Sequence, residues 1–451
     1  MSISGRRRLV VLGLAAGLLA AAGAEADPLT VDKAVELALQ HSSQMVQADA
    51  GVLDAKSGLY GAYSGILPSV SFNYARRNFI SDGSRSPFGT GLIDQDEESH
   101  GSTPSFSAQW NLLDLSALSG FQAASTGLKA AKLSKQASRN DVVLAVKRQY
   151  YTTAATYHLA RVAAGALRVA RDNERRARAL FEVGSVSRSD LLKAEVRTSQ
   201  SELDSLTASQ AIVNQRILLA TQIGIPESQL GEIDTVFVAT TQEYDEATLF
   251  DEAGKNRPDV QAALAELNSA KSSRTSARLA RLPSIVANGS ATYNSNSRRT
   301  TTTNPPGVPP IIDPGIASTE GETKRVLSGT VALNWNIFDG LGMDSRNAAA
   351  EARLRRAQDT NDVLQRNLES EVHQAVLQYR EAVERDRVAT RAFDSALENL
   401  KLTQQKYNVG SATILDLVDA QEQATSAAVD IVSARSGMLI SQAQIERVRG
   451  R

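Results

Sequence analysis

The longest polar stretches of this chain carry a narrow apolar stripe. From about Ser116 to Val183 the positions Leu159, Val162, Ala166, Val169, Asn173, Arg176 and Leu180 follow at steps of three and four, the spacing of a single seam on an α-helix. At 1.5 Å per residue such a helix is on the order of 100 Å long, more than an ordinary globular domain uses. A second pattern of the same length runs from about Gly342 to Val409, and shorter ones cover about 187–223 and 413–448. Two further helical patterns are predicted, from Thr30 or Asp32 to about Gly65 and from about Ala247 to Arg281.

In four places the period changes to two. Val70, Phe72 and Tyr74 alternate with Ser71, Asn73 and Ala75, and Phe106, Ala108, Trp110 and Leu112 with Ser105, Ser107, Gln109 and Asn111. Ile285, Ala287, Ala291 and Tyr293 alternate largely with Asn288, Ser290, Thr292 and Asn294; Leu327, Val331, Leu333, Trp335 and Ile337 alternate with Ser328, Thr330, Asn334 and Asn336. These are strands, about 69–80, 104–113, 284–294 and 327–338, each with one greasy and one small polar face. Ser81 to Pro104 and Ser295 to Arg325, rich in Gly, Ser, Thr and Pro, read as loops.

The order of elements occurs twice. Phe181-Glu182-Val183-Gly184-Ser185-Val186-Ser187-Arg188-Ser189-Asp190 returns as Tyr407-Asn408-Val409-Gly410-Ser411-Ala412-Thr413-Ile414-Leu415-Asp416. Ile66-Leu67-Pro68 returns as Arg281-Leu282-Pro283, and Trp110-Asn111-Leu112-Leu113-Asp114 as Trp335-Asn336-Ile337-Phe338-Asp339. In each tip, glycine supplies a left-handed helix stop and Ser185, Ser187, Ser411 or Thr413 can cap the helix that follows. The division is into repeat 1, residues 27–235, and repeat 2, residues 236–451, each a helix, two strands, a long helix and a returning helix.

The N-terminus adds an export signal: Arg6-Arg7-Arg8, an apolar run from Leu9 to Ala22, and Ala24-Glu25-Ala26, with cleavage expected after Ala26. A membrane anchor or a twin-arginine signal fits less well, because the run is short and the basic cluster lacks the usual flanks. The sequence has no cysteine, which excludes disulfides, thiolate metal sites and a lipidated N-terminal cysteine. A formal net charge of −1 gives no footprint for nucleic acid. His41, His100, His158 and His373 are scattered outside any metal or nucleophile pattern, so neither an enzyme nor a metal site nor a cofactor is expected.

The four greasy strand faces must be buried against another layer or against lipid, and no segment is left over to cover them. A closed barrel is the way for such strands to cross a membrane, with the small polar faces towards a wet lumen and the long loops outside. Four strands are too few to close a channel, since about eight enclose only a packed interior, so several chains must share the barrel. Two or three chains both satisfy this. The helices, interrupted by Arg171, Glu174, Arg175 and Arg176, belong in an aqueous compartment, the periplasm. The rival reading is a periplasmic coiled-coil structural or adaptor protein with no channel, whose strands form a soluble sandwich.

With the ordered set in place, including Asn256-Arg257-Pro258-Asp259-Val260 and the aspartates at 190 and 416, the mature chain resembles the TolC family of outer-membrane efflux and secretion channels, in its non-lipidated branch. The resemblance implies a mainly α fold with a membrane β-barrel: a homotrimer forming a twelve-stranded barrel in outer-membrane lipid of a Gram-negative bacterium and a twelve-helix periplasmic tunnel. It implies partners too, a periplasmic membrane-fusion adaptor and an inner-membrane pump of RND or ABC type, in a tripartite efflux or type I secretion assembly. By the same resemblance, Val183, Gly184, Ser185, Val409, Gly410 and Ser411 are adaptor-docking tips. Asp416 and Asp419, at i and i+3 on one helix face, would ring the periplasmic aperture, and Tyr407, Ser189 and Asp190 would belong to its closing latch. The family's latch arginine is Ala412 here, with Arg188 of the other copy as a substitute. The lipid-facing set is Val70, Phe72, Tyr74, Phe106, Trp110, Leu112, Ile285, Tyr293, Val331, Leu333, Trp335 and Ile337.

Overall fold

The computed structural model describes residues 28–88, 91–236, 240–303 and 317–450. The signal-peptide reading lies outside these residues. Eight helices and four strands follow in the order α1 (Val31–His41), α2 (Ser43–Ser64), β1 (Ser69–Phe88), β2 (Gly91–Leu113), α3 (Leu115–Glu182), α4 (Arg188–Ile223), α5 (Glu246–Asn256), α6 (Pro258–Leu279), β3 (Ser284–Thr303), β4 (Ala317–Asn334), α7 (Gly342–Asn408) and α8 (Ile414–Val448) among the described residues. A 3-10 turn, Glu227–Gln229, follows α4. The second half thus repeats the first, two short helices, two strands and two long helices.

The chain divides into two compact units. One comprises the residues up to Gln47, Ser138–Ala253 and those from Glu369 on. Its core gathers Ala34, Ala38, Met45, Val142, Val146, Tyr150, Leu219 and Ile223 from α1 to α4, with Leu230 and Ile233 from the segment after α4. Leu29 joins it by pairing in parallel with Ile233, and the Tyr150 hydroxyl lies 2.8 Å from the carbonyls of both Leu29 and Asp234. Burial pushes the Tyr150 phenol well above its ordinary value, with the Asp234 charge adding to the effect, so it stays a neutral donor to those carbonyls. Polar bonds tie the long helices: Asn173 on α3 donates to Gln421 on α8 at 2.8 Å, Arg197 on α4 reaches Glu422 at 2.9 Å, and Arg178 on α3 bridges Glu174 and Glu195.

The other unit, Ala48–Ala137 and Gly254–Leu368, holds the strands. They form one antiparallel sheet in the order β1-β2-β3-β4. The two repeats enter and leave it identically. The indole N–H of Trp110 donates to the Ile66 carbonyl at 2.9 Å, and that of Trp335 to the Arg281 carbonyl at 3.1 Å, so each tryptophan pins the turn that leads into its own repeat's first strand. Asp114 then accepts from the Ala117 N–H and Asp339 from the Met343 N–H, both at 3.0 Å, filling orphan donors at the starts of α3 and α7.

Four expectations are corrected. The helix to Gly65 is two helices, because Ser42 turns extended and its hydroxyl accepts from the Met45 N–H at 3.3 Å to start α2. The helix from Ala247 likewise breaks at Arg257, since Pro258 has no N–H to continue the ladder and instead opens α6. The stretches Ser81 to Pro104 and Ser295 to Arg325 are largely strand, with β1 reaching Phe88, β2 starting at Gly91, β3 reaching Thr303 and β4 starting at Ala317. There the ladder continues through a sequence that is mostly polar, so the period-two signal vanishes while the backbone pairing does not. The fourth strand stops at Asn334, short of 338, so Trp335 and Ile337 follow it.

Candidate functional site

Both helical tips close with the same backbone arrangement. Gly184 and Gly410 take positive φ, 71° and 77°. In each copy the glycine N–H bonds the carbonyl three residues back and the following serine N–H the carbonyl five back: Gly184 to Phe181 and Ser185 to Leu180, Gly410 to Tyr407 and Ser411 to Lys406. This double closure satisfies the last carbonyls of α3 and α7. Val183 and Val409, beside the glycines, are exposed.

The next helices start on Ser187 and Thr413, out of the four hydroxyls the sequence offers. The Ser187 hydroxyl accepts from the Asp190 N–H at 3.2 Å and donates to the Asp190 carboxylate at 2.7 Å. Thr413 does the same with Asp416 and completes a capping box, its own N–H reaching the carboxylate at 2.8 Å. Hydrogen bonds from Ser187, side chain first, hold Asp190 below the usual carboxylate range; those from Thr413, backbone first, do so for Asp416. Because the folded values lie below those of the unfolded chain, these caps contribute stability above about pH 4 and lose it as pH falls through the lowered values.

Asp419, one turn further on, is exposed and has no hydrogen-bond or ion-pair partner among the described residues. Tyr407 is half-buried, and no hydrogen bond joins it to Ser189 or Asp190 among the described residues. Asp190 turns instead to its own cap, with Lys193 3.7 Å away. Arg188 and Ser189 are exposed.

The sheet presents two unlike faces. One carries Val70, Phe72, Tyr74, Phe106, Trp110, Tyr293, Val331 and Leu333, all exposed, with Trp335 and Ile337 beyond the end of β4 exposed as well. Leu112, also exposed, and Ile285, half-buried, lie at the register shift between Asn111 and Leu113. The other face is hydroxyl and amide. Its centre is a cross-strand row of four serines, Ser71, Ser107, Ser290 and Ser328, one from each strand. Their hydroxyls bond in pairs, Ser71 to Ser107 at 2.8 Å and Ser290 to Ser328 at 2.7 Å. This face is concave, with a depression lined by these serines and by Ser69, Gln109, Asn288 and Thr330.

Sequence reasoning missed the roles of Asp114 and Asp339 as helix caps, although their place after the repeated tryptophan motif could have shown them. It also left open what Arg257 does. Arg257 is 2% exposed, and its side chain forks onto the Asp259 carboxylate, Nε at 3.0 Å and the guanidinium end at 2.5 Å, at the start of α6. The histidines stand apart from one another, His100 beside Asn78 and Glu98, His158 donating to the Thr235 carbonyl, His373 against Glu246. Among the described residues no three His, Asp or Glu side chains are placed to hold a metal ion.

A family model described as outer membrane efflux protein matches residues 34–224 and 249–451. The chain belongs to the outer membrane efflux protein family. Its two matched segments correspond to the two halves of the internal duplication. Outer membrane protein TolC of Vibrio cholerae, a relative of this family member, is 22% identical over 271 residues, 60% of this chain and 58% of that protein's length. Among solved structures, VceC of Vibrio cholerae superposes with a TM-score of 0.74 at 18% identity, covering 93% of this chain and 96% of that one. The CmeC outer membrane channel of Campylobacter jejuni gives 0.75 at 16% identity, covering 93% and 85%. At these identities the likeness is one of fold, and it spans the outer membrane efflux protein chain almost end to end.

Proposed function

We propose that this protein is the outer-membrane exit duct of a tripartite efflux or type I secretion assembly, built as a homotrimer and fed by a periplasmic adaptor and an inner-membrane pump. The observation that carries this reading is the apolar face of the four-stranded sheet. At about 25 cal/mol per Å², leaving that many large side chains in water would cost tens of kcal/mol, yet nothing in the described chain covers them. Lipid is the medium that fits. β1 and β4 are the edges of the sheet, and three copies joined β4 to β1 give twelve strands, enough to enclose water with the serine face inward.

The helices support the same assembly. Contacts place α8 between α7 and α3, and α3 beside α4, which leaves outer flanks on α4 and α7. On α4, Leu192, Val196, Leu203, Leu206, Val213 and Ile217 are exposed at coiled-coil spacing; on α7, Leu377, Val388, Leu397 and Leu402 are exposed. Packing α4 of one copy on α7 of the next would bury both stripes. The mass of the detergent-extracted particle from the outer-membrane fraction, by light scattering corrected for bound detergent, is expected to equal about three chains. A soluble monomer would favour the channel-free periplasmic reading instead.

The tips serve as the adaptor-docking ends, with Val183, Gly184, Ser185, Val409, Gly410 and Ser411 presented there, and Asp416 and Asp419 as acidic rings at the aperture. Asp416 also completes the capping box of α8, so replacing it would remove hydrogen bonds at the helix start together with the charge. Asp419→Asn separates the two. In planar-bilayer recordings it is expected to lower cation preference and weaken divalent block while the thermal transition stays put; unchanged selectivity would remove Asp419 from the aperture. Tyr407, Ser189 and Asp190 remain the proposed latch, closing through neighbouring copies, with Arg188 positioned on the surface for it.

A further inference from the structure

Within the sheet-bearing unit the helices follow one another in the order α2, α3, α6, α7. Tyr63 packs against Phe121, Ser276 hydrogen-bonds Ser116, and Arg274 pairs with Glu351. α2 and α7 are therefore the outer flanks of this unit, and α3 against α6 is the inner seam where repeat 1 meets repeat 2. That seam is packed closely through small residues. The Ser276 hydroxyl donates to the Ser116 carbonyl and that of Ser269 to the Ala123 carbonyl, both at 2.8 Å. A Cβ on Gly120 or Gly127 would stand 3.5 Å from the Ser276 or Ser269 hydroxyl oxygen.

The duplication says what the outer flanks carry in the same places. α2 and α6 are both 22 residues long, and matching Ser43 with Pro258 also matches Leu67-Pro68 with Leu282-Pro283, so Ser269 and Ser276 correspond to Asp54 and Gly61. Matching α3 to α7 at the tip glycines, Gly184 with Gly410, puts Arg346 and Arg353 where Gly120 and Gly127 stand. The match holds at the sheet end too, where Ala117 and Met343, whose N–H groups Asp114 and Asp339 accept, fall together. Arg353 and Asp54 are exposed, and neither side chain has an ion-pair or hydrogen-bond partner among the described residues. On α2 a Cβ at Gly51, Gly58 or Gly61 would meet nothing within 4 Å, although glycine weakens a helix interior relative to alanine. The α3 glycines face a neighbouring helix; those of α2 have none in their own chain.

We infer that Arg353 of one copy and Asp54 of the next form an ion pair at each joint of the trimer, where α7 packs on the glycine-bearing flank of α2 as α3 packs on α6. This rests on the trimer reading, in which β4 of one copy pairs with β1 of the next. Gly61 leaves room for the Arg346 stem, whose guanidinium stays on Asp339 at 2.8 Å. The inner seam needs no charge to choose its partner, because one chain delivers both helices. Separate chains must find each other, and opposite charges select α7 against α2 while setting α7 against α7 or α2 against α2 in repulsion.

The sequence has no cysteine, so introduced pairs report cleanly. Asp54→Cys with Arg353→Cys, oxidised in membranes, is expected to link chains covalently into dimers and trimers on a non-reducing gel. Gly127→Cys with Ser269→Cys is expected to close within one chain and run as a monomer on the same gel. Asp54→Arg or Arg353→Asp alone is expected to weaken the trimer by up to about a hundredfold, since a surface pair is worth up to about fivefold and three joints repeat it. Combining the two reversals is expected to restore assembly. If the trimer forms but the 54/353 pair stays unlinked while the in-chain pair closes, or if single reversals leave assembly unchanged, the ion pair is overturned and the trimer stands. A wild type extracted from membranes as a monomer would overturn the trimer reading itself.

Discussion

Val331→Arg is expected to abolish recovery of the protein from the outer-membrane fraction. In the isolated chain Val331 is 72% exposed, and by solvent exposure alone an arginine there would be harmless, within about 0.5 kcal/mol. In the proposed trimeric barrel it would face lipid within the apolar band, where arginine costs about 2–4 kcal/mol, a cost that threefold symmetry would repeat in every copy. The neighbouring Thr330→Arg makes the control, because Thr330 lines the hydroxyl face and its arginine would enter the lumen. That variant is expected to insert and assemble normally while shifting ion selectivity towards anions. Quantifying trimer in membrane and soluble fractions checks both; normal membrane recovery of Val331→Arg with loss of Thr330→Arg would invert the assignment of the faces.

The second large effect is expected at Gly224, which ends α4. Its φ is 88°, and a Cβ there would stand 2.5 Å from the His41 carbonyl oxygen and 2.9 Å from its carbon. Both are backbone atoms at the end of α1, so no rotamer change relieves the clash; α1 must separate from α4 and open the core around Leu219, Ile223 and Ala38. Gly224→Ala is expected to cost more than about 4 kcal/mol, the exceptional end of single substitutions, and to lower the thermal transition sharply. Gly184 and Gly410 share the positive φ, but a Cβ at either meets open space. Gly184→Ala should cost only about 1 kcal/mol of backbone strain, and Gly184→Lys should leave the trimer assembled while impairing adaptor binding. Circular-dichroism melts of Gly224→Ala and Gly184→Ala side by side check the contrast; equal stability would mean that the α1–α4 contact is not what the glycine serves.

Much of this fold was legible because the duplication wrote each signal twice. The glycine tips, the tryptophan motifs and the Leu-Pro turns marked the same joints in both halves, and period three-to-four against period two separated helix from strand. What stayed hidden was hidden for physical reasons. Alternation reports an environment, so it faded where the sequence turns mostly polar, though hydrogen bonding carried β1 on to Phe88 and β3 on to Thr303. The break at Ser42 depends on one hydroxyl reaching one N–H, a contact that leaves no periodic trace. Leu29 docking beside Ile233 joins residues distant in sequence, and only tertiary structure brings them together. At the tips, the sequence placed Asp190 and Asp416 correctly at helix starts, but it could not show that each spends its hydrogen bonds on its own cap.

The serine row has a further consequence for anything that moves through the barrel. Hydroxyls that already bond one another across the strands, Ser71 to Ser107 and Ser290 to Ser328, offer a passing solute little unmet demand to grip. They carry no charge to trap an ion and no bulk to wedge an aromatic ring. In the proposed channel this row would act as a smooth stretch of wall, gripping solutes of very different chemistry about equally weakly as they pass it.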